Sequence, residues 1–124
     1  MIIDHIGIAI SDYDQSKEFY TKVLAPLDIK LVAEDQGGAG FGKNGKPDFW
    51  FGTDKKTQSP MHIAFIAESR EKVNQFYEAA IAAGAKDNGK PGIRAIYHSD
   101  YYGAFVIDPD GHNIEAVCHR EENA

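Results

Sequence analysis

The chain has 124 residues, 43% of them hydrophobic and 26% charged, enough for one globular domain or two small half-units sharing a core. Nineteen acidic against thirteen basic side chains leave a net charge of −6 and no basic cluster, so nucleic acid and anionic membrane surfaces are excluded as partners. No apolar run reaches the roughly 20 residues of a membrane span. The single cysteine, Cys118, cannot form an internal disulfide, and a cytoplasmic location is expected.

The first segment, "MIIDHIGIAI", lacks a basic n-region and a cleavage site and reads as a strand, not a signal peptide. Side chains alternate along a strand, so Ile6, Ile8 and Ile10 share one face and His5, Gly7 and Ala9 the other. Apolar residues at 19, 20, 23 and 24 then follow helical spacing, with Ser11 as the expected cap, Asp14 three residues on, and Pro26 beyond the end. Short strands are expected near 28–34, 38–42 and 47–52, with "KNGKP" as a hairpin loop.

The pattern then repeats at an offset of 57. "MHIAFI" matches "DHIGIA", and Phe76-Tyr77 matches Phe19-Tyr20. In the second strand His62, Ala64 and Ile66 share one face, Ile63 and Phe65 the other. A helix over 73–81 is capped by Ser69 and stopped at Gly84. Strands near 92–98, 102–107 and 112–119 follow, with "DPDGHN" as a turn, and "EDQGGAGFGKNGK" and "GAKDNGKPG" read as matching Gly-rich loops. The expected fold is α+β. Two βαβββ modules, about 1–57 and 58–119 of a single 1–124 domain, form a curved mixed sheet with a pseudo-two-fold repeat and a shared groove.

His5 and His62 each begin a face whose next residue is Gly or Ala, which leaves room around the rings. Glu115 is an acid inside the apolar run "IEAV", and a buried unpaired carboxylate is costly. A divalent metal held by His5, His62 and Glu115 would supply the charge and keep positions open for substrate. Phe49 and Trp50 are candidate walls. "IRAIYHSDYYGAF" offers Arg94, His98, Tyr101 and Tyr102 to grip a substrate oxygen, although a solvated edge strand and loop accounts for the same pattern. His112 is expected to be exposed in its turn, and Cys118 to be a buried structural thiol.

Taken together, the paired halves, "DHIGIAI", "MHIAFIA" and "DPDGHNIEAV" resemble the vicinal oxygen chelate superfamily, which includes glyoxalase I, bleomycin-resistance proteins, fosfomycin-resistance transferases and extradiol dioxygenases. The resemblance implies one divalent metal (zinc, nickel, manganese or iron) on His5, His62 and Glu115. It also implies a homodimer in which one subunit's first half and the other's second half build each site. Glyoxalase I usually has a fourth ligand on the last strand of the first half, where "PDFWFG" offers Phe49 or Trp50, neither of which binds metal. The implied activity is Lewis-acid catalysis on a small oxygen-chelating substrate: a lyase or isomerase, a thiol transferase, or a dioxygenase. Water on the metal or a displaced Glu115 is the expected base. The competing expectation is a bleomycin-resistance-like module that sequesters an aromatic molecule between Trp50, Phe49 and the tyrosines without chemistry.

Overall fold

A computed structural model describes residues 3–35, 37–53 and 60–121. The expected boundary between the halves, at 57–58, lies outside the described residues. The first unit contains β1 (Ile6–Ala9), α1 (Tyr13–Leu24), a 3-10 turn (Ala25–Leu27), β2 (Lys30–Asp35), β3 (Gly38–Lys43) and β4 (Lys46–Gly52). The second contains β5 (His62–Ile66), α2 (Arg70–Ala82), β6 (Lys86–Ile93), β7 (Tyr102–Ile107) and β8 (Asn113–Cys118). Each unit is a four-stranded mixed sheet, β1-β4-β3-β2 and β5-β8-β7-β6, with the same strand order and one helix. The parallel pair in each sheet is the first strand with the last, β1 with β4 and β5 with β8. The α+β fold and its repeat are therefore as expected.

Each helix is held by one apolar stripe. Phe19, Tyr20, Val23 and Leu24 of α1 are buried against Phe41, Phe49 and Phe51; Val73, Phe76 and Ala80 of α2 are buried with Val106, Ile114 and Ala116. Ser69 caps α2, its side chain accepting from the Lys72 N–H at 3.2 Å. The cap of α1 is Asp12, not Ser11: the Asp12 carboxylate accepts from the Gln15 N–H at 3.0 Å. The β3–β4 hairpin turns on Asn44 and Gly45, both at positive φ (54° and 79°), the backbone that "NG" favours.

Two expectations are corrected here. "KDNGKPGI" is not a loop but the edge strand β6, and the expected strand at 92–98 mostly lies in the turn-rich segment that follows it. Its Gly and Pro residues are accommodated by register shifts against β7 between Asp87 and Gly89 and between Gly89 and Gly92. His112, expected to be exposed, is only 1% exposed. Its Nδ1 accepts from the Met61 N–H at 3.0 Å, and its Nε2 faces the Ala9 carbonyl at 3.4 Å. The "DPDGHN" turn thus clasps the first unit. Tyr20 donates its hydroxyl to Asp108 at 2.6 Å, and the Ser11 N–H donates to Asp110 at 3.0 Å. Edge-to-face contact of Phe49 with Phe65, centroids 5.1 Å apart, joins the two cores. Among the described residues no helix is long and apolar enough to cross a membrane.

Candidate metal and substrate site

Strand register decides which side chains face away from the helices. In the second sheet His62 pairs with Asn113 and Ala64 with Glu115, while Phe105 of β7 lies opposite Glu115 on its other side. Paired residues point the same way, so His62, Glu115 and Phe105 share the face opposite α2. His62 Nε2 donates to Glu115 Oε1 at 2.8 Å, and the His62 and Phe105 rings lie 6.1 Å apart. The other carboxylate oxygen, Oε2, accepts the Tyr101 hydroxyl. Glu115 is 1% exposed while the His62 side chain is 53% exposed, so the pair runs from a buried anion to an open imidazole.

Gly103 makes this arrangement possible. A Cβ at that position would come within 3.2 Å of both Glu115 Oε2 and Tyr101 Cε1. Burial, and then the adjoining carboxylate, push the Tyr101 hydroxyl well above its ordinary pKa, which keeps it a proton donor to Glu115. The buried carboxylate was expected to need a metal for compensation; within one chain, two hydrogen bonds already satisfy it. The sequence offered a signal for this, since alternation along "YYGAF" places Tyr101, Gly103 and Phe105 on one face.

In the first sheet Gly7 pairs with Trp50. Gly7 and Ala64 are 57 positions apart, as are His5 and His62, so Trp50 stands where the second sheet has Glu115. Its indole lies over Gly40, where a Cβ would meet ring atoms at 2.9 Å. His5 has an exposed side chain and its Nδ1 meets Asp4 Oδ2 at 2.8 Å. His5 does not join His62 and Glu115 within the chain. Among the described residues no group of three or more His, Cys, Asp or Glu side chains is placed to hold a metal ion.

The remaining expected site residues divide by face. Phe49 and Tyr102 were expected on the groove wall but turn to the helix side. Phe49 packs on Tyr20 with centroids 5.0 Å apart, and Tyr102 donates to Asn74 of α2 at 2.6 Å. His98 lies beside Tyr101, ring centroids 5.5 Å apart, with its Nε2 2.8 Å from His119 Nδ1. Arg94 places its guanidinium over the Phe105 ring, 5.4 Å from the centroid, and so joins the His62 and Glu115 face. A separate apolar cleft of about 220 Å³ opens where the two sheets meet, lined by Ile6, Phe49, Ile63 and Phe65 with Lys43 and Asp48.

Comparison with known proteins bears on the fold and the family. A glyoxalase/bleomycin resistance protein from Albidiferax ferrireducens T118 is 26% identical with a TM-score of 0.84, covering 98% of this chain and 100% of that one. A glyoxalase/bleomycin resistance protein/dioxygenase family enzyme from Burkholderia phytofirmans PsJN is 19% identical with a TM-score of 0.74, covering 95% and 98%. Lactoylglutathione lyase from Agrobacterium tumefaciens is 16% identical with a TM-score of 0.68, covering 92% and 90%. No curated protein matches the chain. The family model matches over residues 2–116, and the chain belongs to the Glyoxalase/Bleomycin resistance protein/Dioxygenase superfamily.

Proposed function

We propose that the protein is a metal-dependent enzyme of glyoxalase-like type, acting as a homodimer on a small oxygen-chelating substrate. His62 and Glu115 of one protomer and His5 of the other would hold one divalent ion. The observation that carries this is the His62–Glu115 pair: an imidazole nitrogen and a carboxylate oxygen 2.8 Å apart on a sheet face away from the helices. Both are metal-ligand types, and on binding an ion would take the place of the proton they now share, the ring and the carboxylate turning to face it. His5 stands at the matching place of the 57-residue repeat, just before β1, with its side chain 59% exposed and available to a second chain.

The bound ion would act as a Lewis acid toward neighbouring substrate oxygens. The chain's own residues do the rest. Tyr101 fixes the orientation of the Glu115 carboxylate by donating to Oε2, as hydrogen bonds to ligating groups do elsewhere. Glu115, once displaced from the ion, would take a proton beside a substrate carbonyl. Trp50 supplies a flat apolar wall where a fourth ligand would otherwise stand.

Elemental analysis of protein purified without added metal tests this reading. Near-stoichiometric transition metal supports it, as does turnover of a hemithioacetal, fosfomycin with a thiol, or a catechol by the loaded protein. A metal-free protein that binds flat aromatics would instead make it a sequestering module, the reading that Trp50 over Gly40 favours.

A further inference from the structure

β6 is an edge strand whose side chains thin out at two places, Gly89 and Gly92. Arg94 fills that space. A Cβ at Gly89 would come within 3.1 Å of Arg94 Nη2 and 2.9 Å of Phe105 Cδ1, and one at Gly92 within 3.2 Å of Arg94 Nη1. The guanidinium is thus laid between a bed of two glycines and the Phe105 ring, 5.4 Å from its centroid. Nη2 donates to the Lys90 carbonyl at 2.7 Å, and the Arg94 backbone N–H donates to the Tyr101 carbonyl at 2.7 Å. Both ends of the residue are therefore fixed.

Among the described residues Arg94 meets no anion: no carboxylate lies within ion-pair distance of it, although the chain carries a net charge of −6. A guanidinium has five N–H donors, and the Lys90 carbonyl takes one. A planar, oriented, unpaired fork beside a stacked ring suits bidentate recognition of an oxyanion. Its position says where that anion belongs. Phe105 lies opposite Glu115 on β8 and its ring is 6.1 Å from that of His62.

We propose that Arg94 is an anion anchor, and that the substrate of the His62–Glu115 face carries a carboxylate or a phosphonate alongside its reacting oxygens. The proposal takes that face as the substrate face, as above, but does not need the metal. Phe105 would pack against the substrate's apolar part while Arg94 holds its charged end.

The test is a titration of the full chain, stripped of metal by chelator, with benzoate, phenylphosphonate and the uncharged benzamide, followed by NMR shifts of the Arg94 side-chain N–H and the His62 ring. Both anions should saturate at millimolar concentration and benzamide should not. Arg94→Gln should weaken anion binding at least tenfold, and Arg94→Lys, which keeps the charge and loses the fork, should fall between. Should Arg94→Gln fail to fold, Arg94→Lys decides alone, with a clear loss expected. Binding of benzamide equal to benzoate, no saturable anion binding to the wild type, or unchanged affinity in the variants would each overturn the proposal. Elemental analysis reads the metal separately. A wild type that never holds metal yet binds the anions through Arg94 overturns only the metalloenzyme reading and supports this one.

Discussion

At the residue scale, Glu115 and Tyr20 show how buried polar groups were matched. Glu115 stood out in the sequence as an acid within "IEAV", and its need for partners followed from the cost of burying charge. That Tyr101 and His62 would both meet it did not follow, because it depends on Gly103 clearing the space between them. Tyr101→Phe should leave Oε2 buried without its donor and destabilise the fold by about 1–3 kcal/mol. Urea unfolding would show it as a lower midpoint with unchanged slope. Tyr20 gives a pH prediction. Burial, reinforced by Asp108, holds its hydroxyl well above the ordinary value, whereas an unfolded tyrosine ionises near 10. The native state thus keeps a proton that the unfolded state releases. Its contribution is intact below about pH 10 and is lost progressively as pH rises from there toward the folded-state value. Urea midpoints measured across this range should fall steeply for the wild type and less steeply for Tyr20→Phe. That variant should itself be weaker at neutral pH by about 1–2 kcal/mol, because it lacks the hydrogen bond to Asp108.

At the element scale, the two helices were legible because their apolar spacing is long and regular, and the β3–β4 hairpin because "NG" is a strong local signal. The start of α1 was displaced by one residue. Ser11 and Asp12 are both capping types, and only the tertiary contact of the Ser11 N–H with Asp110 separates them. Asp12→Ala should therefore cost about 1 kcal/mol and Ser11→Ala almost nothing, as thermal unfolding can show. β6 was misread for a physical reason. Its Gly and Pro content speaks for a loop locally, but an edge strand tolerates both, and Arg94 fills the space they leave. His112 was misread because its partners, Ala9 and Met61, are 103 and 51 residues away in sequence. In contrast, the matched His5 and His62 were legible from the repeat alone. The place of Trp50 needed only the register of the parallel pairs.

At the scale of the whole molecule, the single chain leaves apolar side chains uncovered. Ile66, on the His62 face, is 69% exposed, and Ile96 is 87% exposed in the segment after β6. In the proposed homodimer a second copy would cover this surface. Sedimentation should give a dimer, and Ile66→Asp should shift it toward monomer while lowering metal content. Metal ligands must be deprotonated to bind, so metal held at the proposed site should also fall on acidification.

The most direct measurement is metal content in mixed dimers. His5→Ala and His62→Ala are purified separately, each loaded with the same metal, then unfolded together, refolded and dialysed. A site shared between protomers predicts that each variant alone holds little metal and that mixing restores part of it. In the mixed dimer one site keeps His5 from one chain and His62 with Glu115 from the other. Metal that stays absent after mixing, or that is retained by His5→Ala alone at the wild-type level, would contradict the shared site.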